Sequence, residues 1–128
     1  MLWRGKRKPK TRQELGRIAE DHAARYLRSK GYRIVERNYR TPRGEIDIIA
    51  EHRDSLVFVE VKSRTSTEDF DPRDSVTPGK QHRIMLAAAA YLRNRDRVTR
   101  FDVVEVAITP EGRVEKIDVI EGAFQSSR

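Results

Sequence analysis

Two short apolar segments on either side of a four-residue polar turn leave this chain few folds to choose from. Residues 45–51 and 56–62 are rich in Ile, Val and Phe and flank His52-Arg53-Asp54-Ser55, the pattern of a β-hairpin. A turn symmetric about Arg53 and Asp54 sets His52 against Ser55, and the remaining pairs follow from that register. Ile46 then faces Val61, Ile48 faces Val59 and Ala50 faces Val57, all on one side of the sheet. The other side pairs Asp47 with Glu60 and Glu45 with Lys62, next to Ile49 with Phe58. A slip of one residue would mix the apolar and polar sets, so the sorting itself selects this register.

The elements around the hairpin follow from local signals. Thr11 and Glu14 have capping-box spacing, so a helix is expected from about Arg12. Leu15, Ile18, Ala19, His22, Ala23, Tyr26 and Leu27 recur at helical spacing, and Gly31 is placed to end it. Residues 32–39 read as a strand, closed by Thr41-Pro42-Arg43-Gly44. Residues 63–77 are polar and read as a long loop. Thr77 before Pro78 opens a second helix whose apolar face carries Ile84, Met85, Ala88, Tyr91 and Leu92. Residues 101–108 and 114–120 are two further strands around Pro110-Glu111-Gly112. A helix between the third and fourth strands permits a parallel crossover. The order α-β-β-β-α-β-β therefore predicts an α/β fold, a central mixed β-sheet flanked by helices. The 128 residues suffice for one such domain, assigned to residues 14–124, with residues 1–13 as a basic arm and 125–128 as a tail.

Composition narrows the chemistry. The chain has no cysteine, which rules out disulfides and thiolate metal sites and suits a reducing compartment. His22, His52 and His82 stand far apart in sequence, against a zinc site. No apolar run approaches the roughly 20 residues of a membrane span, and the basic start lacks the apolar core of a signal peptide. A cytoplasmic protein with no membrane association is expected. Arg4, Lys6, Arg7, Lys8, Lys10 and Arg12 fall within residues 1–13 without one acid, and carry most of the net charge of +7. Such a block is either an arm that binds the phosphates of nucleic acid, with Trp3 stacking on a base, or a solubilising tail.

The hairpin breaks one rule while keeping the others. Opposed carboxylates such as Asp47 and Glu60 destabilise a strand pair, and a local rule broken inside a consistent element is where function is expected. A hard, oxygen-loving cation, Mg2+ or Mn2+, reconciles the two charges and suits phosphodiester cleavage. Lys62, two residues after Glu60, points to the same side and can stabilise an anionic transition state. The plain alternative is a solvated face on which Glu45 and Lys62 form an ordinary cross-strand ion pair. No serine triad, phosphate-cradling glycine loop or nucleotide fingerprint competes with the metal reading.

Gly44-Glu45-Ile46-Asp47 followed after twelve residues by Glu60-Val61-Lys62 resembles the PD-(D/E)xK nuclease core. The chain more closely resembles the YraN-type (UPF0102) family of small bacterial proteins, predicted to be nucleases and related to archaeal Holliday-junction resolvases. The likeness runs from about Gly16 to Phe124. It includes Gly16-Arg17-Ile18-Ala19-Glu20, Arg37-Asn38-Tyr39-Arg40, Phe58-Val59-Glu60-Val61-Lys62-Ser63-Arg64, and Lys80 with Arg83. The resemblance implies a restriction-endonuclease-like fold, Asp47 and Glu60 as metal ligands, Lys62 as the catalytic lysine and Glu20 as a helper of the metal or its water. Read without it, Glu20 lies at the edge of the apolar stripe and serves equally well as a solvated flank. Gly16 either admits a phosphate or eases helix packing. Two departures stand out: Ile46 replaces the proline before Asp47, and Gln81 is followed four residues later by Met85, not by the tyrosine of one nuclease branch. Arg64, Lys80 and Arg83 are placed to hold phosphates, or are scattered surface cations. The expected activity is metal-dependent endonucleolytic cleavage of DNA, including branched or flap structures. A non-catalytic nucleic-acid-binding or adaptor protein of the same fold is the alternative, and resolvase relatives imply a homodimer.

Overall fold

The computed structural model describes residues 8–65 and 76–125. Helix α1 (Arg12–Ser29) begins as its capping box dictates: Glu14 N–H donates to Thr11 Oγ1 at 3.1 Å, and Thr11 N–H donates back to Glu14 Oε1 at 2.9 Å. Gly31, at φ +91°, ends it in a conformation that L side chains rarely adopt. Strands β1 (Arg33–Thr41), β2 (Gly44–His52) and β3 (Ser55–Thr65) follow. Next come helix α2 (Pro78–Leu92) and strands β4 (Thr99–Ile108) and β5 (Val114–Phe124). Thr77 caps α2 by accepting from Lys80 N–H at 3.2 Å. At the other end of α2, the Arg95 guanidinium donates to the carbonyls of Leu92 and Tyr91.

The described strands form one five-stranded sheet in the order β1-β2-β3-β4-β5. Neighbours are antiparallel except β3 and β4, which run parallel across the α2 crossover. The α/β fold with a mixed sheet is thus the one expected. Several strands outrun their expected bounds because a partner strand overrides local composition. Polar Ser63, Arg64 and Thr65 remain in β3, for instance, since β4 pairs with them as far as Thr65 opposite Ile108. Residues 66–75 of the expected loop lie outside the described part.

The helices cover opposite faces. Ala19, Ala23, Ala24 and Leu27 of α1 pack on Ile48, Val57, Val59, Val104 and Val106. Ile84, Ala87 and Ala88 of α2 pack on Ile49, Phe58, Phe101 and Val103. With both faces covered, β4 reads as an almost unbroken buried run. Among the described buried polar residues one is wholly shut off from solvent. Asp102, fully buried, accepts from Tyr32 Oη, from the Arg100 guanidinium and from Gly122 N–H. Arg100 also reaches His52 Nδ1 at 2.7 Å. As an arginine only donates, Nδ1 of His52 is the acceptor, and burial together with the nearby Arg100 lowers the pKa of the ring. Among the described residues no helix is long and apolar enough to cross a membrane.

Candidate active site

The hairpin register expected from the turn is present from His52–Ser55 through Glu51–Leu56, Ala50–Val57 and Ile49–Phe58 to Ile48–Val59. There the β2–β3 ladder stops. On the other side of β2, Arg37 pairs with Ile48 and Tyr39 with Ile46, while Asn38 between them is unpaired and takes a left-handed conformation, φ 56°. Sidedness changes at this break. Ile46 packs with Ile49 on the α2 side, whereas Ile48 and Ala50 pack on the α1 side. The expectation that Ile46 faces Val61 on the same side as Ile48 is therefore corrected. A regular strand alternates, and the distortion at Asn38 and Asp47 interrupts the alternation by one step.

Asp47 sits at this break and uses its side chain where the ladder fails. Val61 N–H donates to Asp47 Oδ2 at 2.7 Å. That bond aims the carboxylate at the start of the Glu60–Val61 step, and the Asp47 and Glu60 carboxyls come within hydrogen-bonding reach. Burial, then the negative charge of Glu60 and the bond shared with it, push the Asp47 pKa well above the ordinary carboxylate range. Glu60 is itself buried, and Lys80 Nζ lies 3.4 Å from its Oε2.

The other expected site residues are distributed around this pair. Glu20 accepts from Arg37 Nε and from Asn38 Nδ2, both at 3.0 Å, so it braces the distorted residue opposite Asp47. Burial raises its pKa against the pull of Arg37, and the nearby Asp47 charge adds to the rise. Lys62 is exposed on β3 beyond Glu60 and makes no ion pair among the described residues. Arg64 is half-buried and lies beside Glu105, whose carboxyl is itself pushed up by burial. Arg83 is exposed, and Lys8 and Lys10 are exposed where the arm joins α1. The main chain of Lys10 is tied by its N–H to Pro110 O at 2.8 Å. Arg4, Lys6 and Arg7 lie outside the described residues. Gly16 has open space around it, which removes helix packing as its reason.

Two residues that position the site give little sign of it in the sequence. Asn38 reads as part of a strand and of a family motif without a role of its own, although an asparagine is among the few side chains that tolerate the left-handed region. Gly44 reads as a turn residue, but it is buried beneath α2. A Cβ placed there would lie 2.1 Å from the carbonyl oxygen of Arg83. The missing side chain lets the first turns of α2 press onto β2, which carries Lys80 to Glu60.

The donor set fits a hard divalent cation. Two largely desolvated carboxylates, with oxygen donors and no sulfur ligand, suit Mg2+ or Mn2+. Among the described residues no three His or carboxylate side chains converge into a metal-holding group. Asp47 and Glu60 would thus hold an ion as a pair and leave room for water and phosphate oxygens, as Mg2+ sites commonly do. The raised Asp47 pKa has a measurable consequence in the metal-free protein. Between the ordinary carboxylate value of about 4 and the raised one, the folded state binds more protons than the unfolded state, so stability falls as pH rises through that window. Asp47→Asn should lose much of this slope. Thermal melts of both proteins in EDTA across that range test it, and equal pH slopes would disprove the coupling.

Comparison with known sequences agrees with the arrangement of motifs. The sequence model described as "Uncharacterised protein family UPF0102" matches residues 19–106, a span that holds Glu20, Asn38, Asp47, Glu60, Lys62 and Lys80. The chain is 46% identical over 118 residues to a UPF0102 protein of Desulforapulum autotrophicum, covering 90% of this chain and 96% of that one. It is 46% identical over 117 residues to a UPF0102 protein of Moorella thermoacetica, covering 89% and 98% respectively. A UPF0102 protein of Desulfosudis oleivorans is 45% identical over 119 residues, covering 91% of this chain and 94% of its own. The chain belongs to the UPF0102 family.

Proposed function

We propose that this protein is a divalent-metal-dependent endonuclease that cleaves phosphodiester bonds in DNA. The observation that carries the reading is the close-set Asp47–Glu60 pair at the break in β2, where opposed carboxylates are kept at a cost to the fold. A divalent cation held by Asp47 and Glu60 would supply positive charge to a phosphate oxygen and lower the pKa of a bound water. The protein's own groups do the rest. Val61 N–H fixes Asp47, Glu20 and Asn38 brace the break, and Lys62 lies exposed next along β3, where it can meet a phosphate oxygen that gains charge. Arg83 on α2 and the basic arm provide contacts to the flanking backbone.

The test is a panel of labelled duplex, flap, fork, four-way-junction and RNA substrates, each with Mg2+, Mn2+ or EDTA. Cleavage of at least one DNA form, abolished by EDTA, is the expected result. A folded protein that binds DNA and Mn2+ yet cuts nothing on the panel would establish the binding-module alternative instead. The arm has its own signature. Removing residues 1–8 takes away Arg4, Lys6, Arg7 and Lys8 but spares the bond from Lys10 to Pro110. Binding should weaken alike on every sequence, and the log–log salt slope should fall by about 0.9 for each phosphate that the arm no longer neutralises. An unchanged slope would make the arm a solubilising tail.

A further inference from the structure

We infer that Lys80 is an exchangeable partner of the metal site: it neutralises Glu60 while the carboxylate pair is metal-free, and moves to a substrate phosphate when a divalent cation takes the pair. This rests on the nuclease reading above and assigns a role to a side chain on α2, outside the hairpin that carries the carboxylates. The backbone of Lys80 is held from two directions. Its own N–H is bound to the Thr77 cap at 3.2 Å, and α2 is seated on β2 through the contact between Gly44 and the Arg83 carbonyl. The side chain is held loosely by comparison. Its Nζ–Oε2 separation of 3.4 Å exceeds the roughly 2.8 Å of a strong charge-assisted bond. Its side chain is 34% exposed, against 10% for Glu60.

These facts make the exchange physically direct. A cation drawn to Asp47 and Glu60 repels the ammonium a few ångströms away and competes for the same oxygen. Lysine is a compact charge on a flexible four-carbon stem with three donors, so it can swing outward without moving the helix. Released from Glu60, Nζ faces the solvent side, where a phosphate held at the carboxylate pair would lie. Metal binding thereby frees a cation for the substrate.

The exchange predicts opposite signs for two measurements on Lys80→Gln, which a purely structural role would not give. Mn2+ should bind about three- to tenfold more tightly by calorimetry, because a competing positive charge is gone. Binding to a cleavage-resistant phosphorothioate duplex should be nearly unchanged in EDTA. It should weaken about tenfold in saturating Mn2+, where the wild-type lysine is available to phosphate. Lys80→Arg should restore the wild-type Mn2+ affinity within about twofold, since the charge that competes is kept. Unchanged or weaker Mn2+ binding by Lys80→Gln would overturn the exchange, as would an equal reduction of duplex binding with and without Mn2+. Both readouts are independent of turnover. A wild-type protein that cleaves nothing would therefore defeat the nuclease reading without obscuring this result.

Discussion

Asp47→Asn and Glu60→Gln should each lower metal-dependent cleavage by at least about a hundredfold, the scale on which losing one key electrostatic group acts. The amides are the informative replacements. Asparagine at 47 keeps an oxygen for Val61 N–H, which lies 2.7 Å from Asp47 Oδ2, so the break in β2 stays in place. Alanine would leave that donor unsatisfied, costing about 1–3 kcal/mol and confusing a chemical defect with a structural one. Asp47→Asn should melt at or above the wild-type temperature in EDTA, because the cost of holding a desolvated carboxyl beside Glu60, whether charged or protonated, is gone. It should also lose most of the stabilisation that Mn2+ gives the wild type. At ten times its dissociation constant that stabilisation is about 1.4 kcal/mol. DNA binding in EDTA should persist, since the basic arm and Arg83 are untouched. Lys62→Ala should cut as poorly as the amide variants yet bind Mn2+ normally. Wild-type cleavage by either purified carboxylate variant would remove the pair from the active site.

Asp102→Ala should destabilise the fold by about 3–5 kcal/mol, the range for breaking a buried ion pair from one side. For a domain of this length that lowers the melting temperature by roughly 10–20 °C. The reason is the number of groups that share this carboxylate. Arg100 donates twice, at 2.8 and 2.9 Å, Tyr32 Oη donates at 2.7 Å and Gly122 N–H at 3.0 Å. Alanine removes the acceptor they share, in a site where Arg100 is only 18% exposed and keeps only its contacts to His52, Tyr32 and Glu121. Tyr32 stacks on His52 with ring centroids 3.8 Å apart, so the damage reaches the strand that follows α1 and the end of β2. Burial, and then the bond to Asp102, push the Tyr32 pKa up, so the hydroxyl stays protonated as a donor. Asp102→Asn keeps the shape and two acceptor lone pairs, and should cost clearly less. Urea titrations measure both. A decrease under about 1 kcal/mol for the alanine variant would show the network to be dispensable.

Whatever neighbours along the chain decide is legible in the sequence. The Thr11–Glu14 capping box, the Thr77-Pro78 start of α2 and the Gly31 stop each satisfy backbone groups a few residues away. The β2–β3 register follows from a short turn and from apolar sorting, both local to residues 45–62, and its five pairs have the expected numbering. That logic places Asp47 and Glu60 one step past the last of these pairs, and Asp47 reaches the Glu60–Val61 step through its side chain. The order of motifs from Gly16 to Phe124 points to the family.

The particulars of the site depend on residues far apart in sequence, which no periodicity encodes. The break that turns Asp47 toward Val61 requires β1, β2 and α1 together: Asn38 is left-handed, unpaired and held by Glu20. Nothing in Asn-Tyr-Arg-Thr announces that. Gly44 looks like a turn glycine until α2 lies on it, and only that contact explains why Lys80, in place of exposed Lys62, meets Glu60. Tyr32 and Asp102 are 70 residues apart, joined because α1 and β4 close on one side of the same sheet. Short-range hydrogen bonding and hydrophobic alternation set the elements and the hairpin register and bring Asp47 and Glu60 to the same end of the hairpin, so the chain alone specifies them. Where the ladder breaks, which lysine touches the carboxylates and which buried charge anchors the sheet are settled by packing, because each is a contact between surfaces that exist only after the chain has folded.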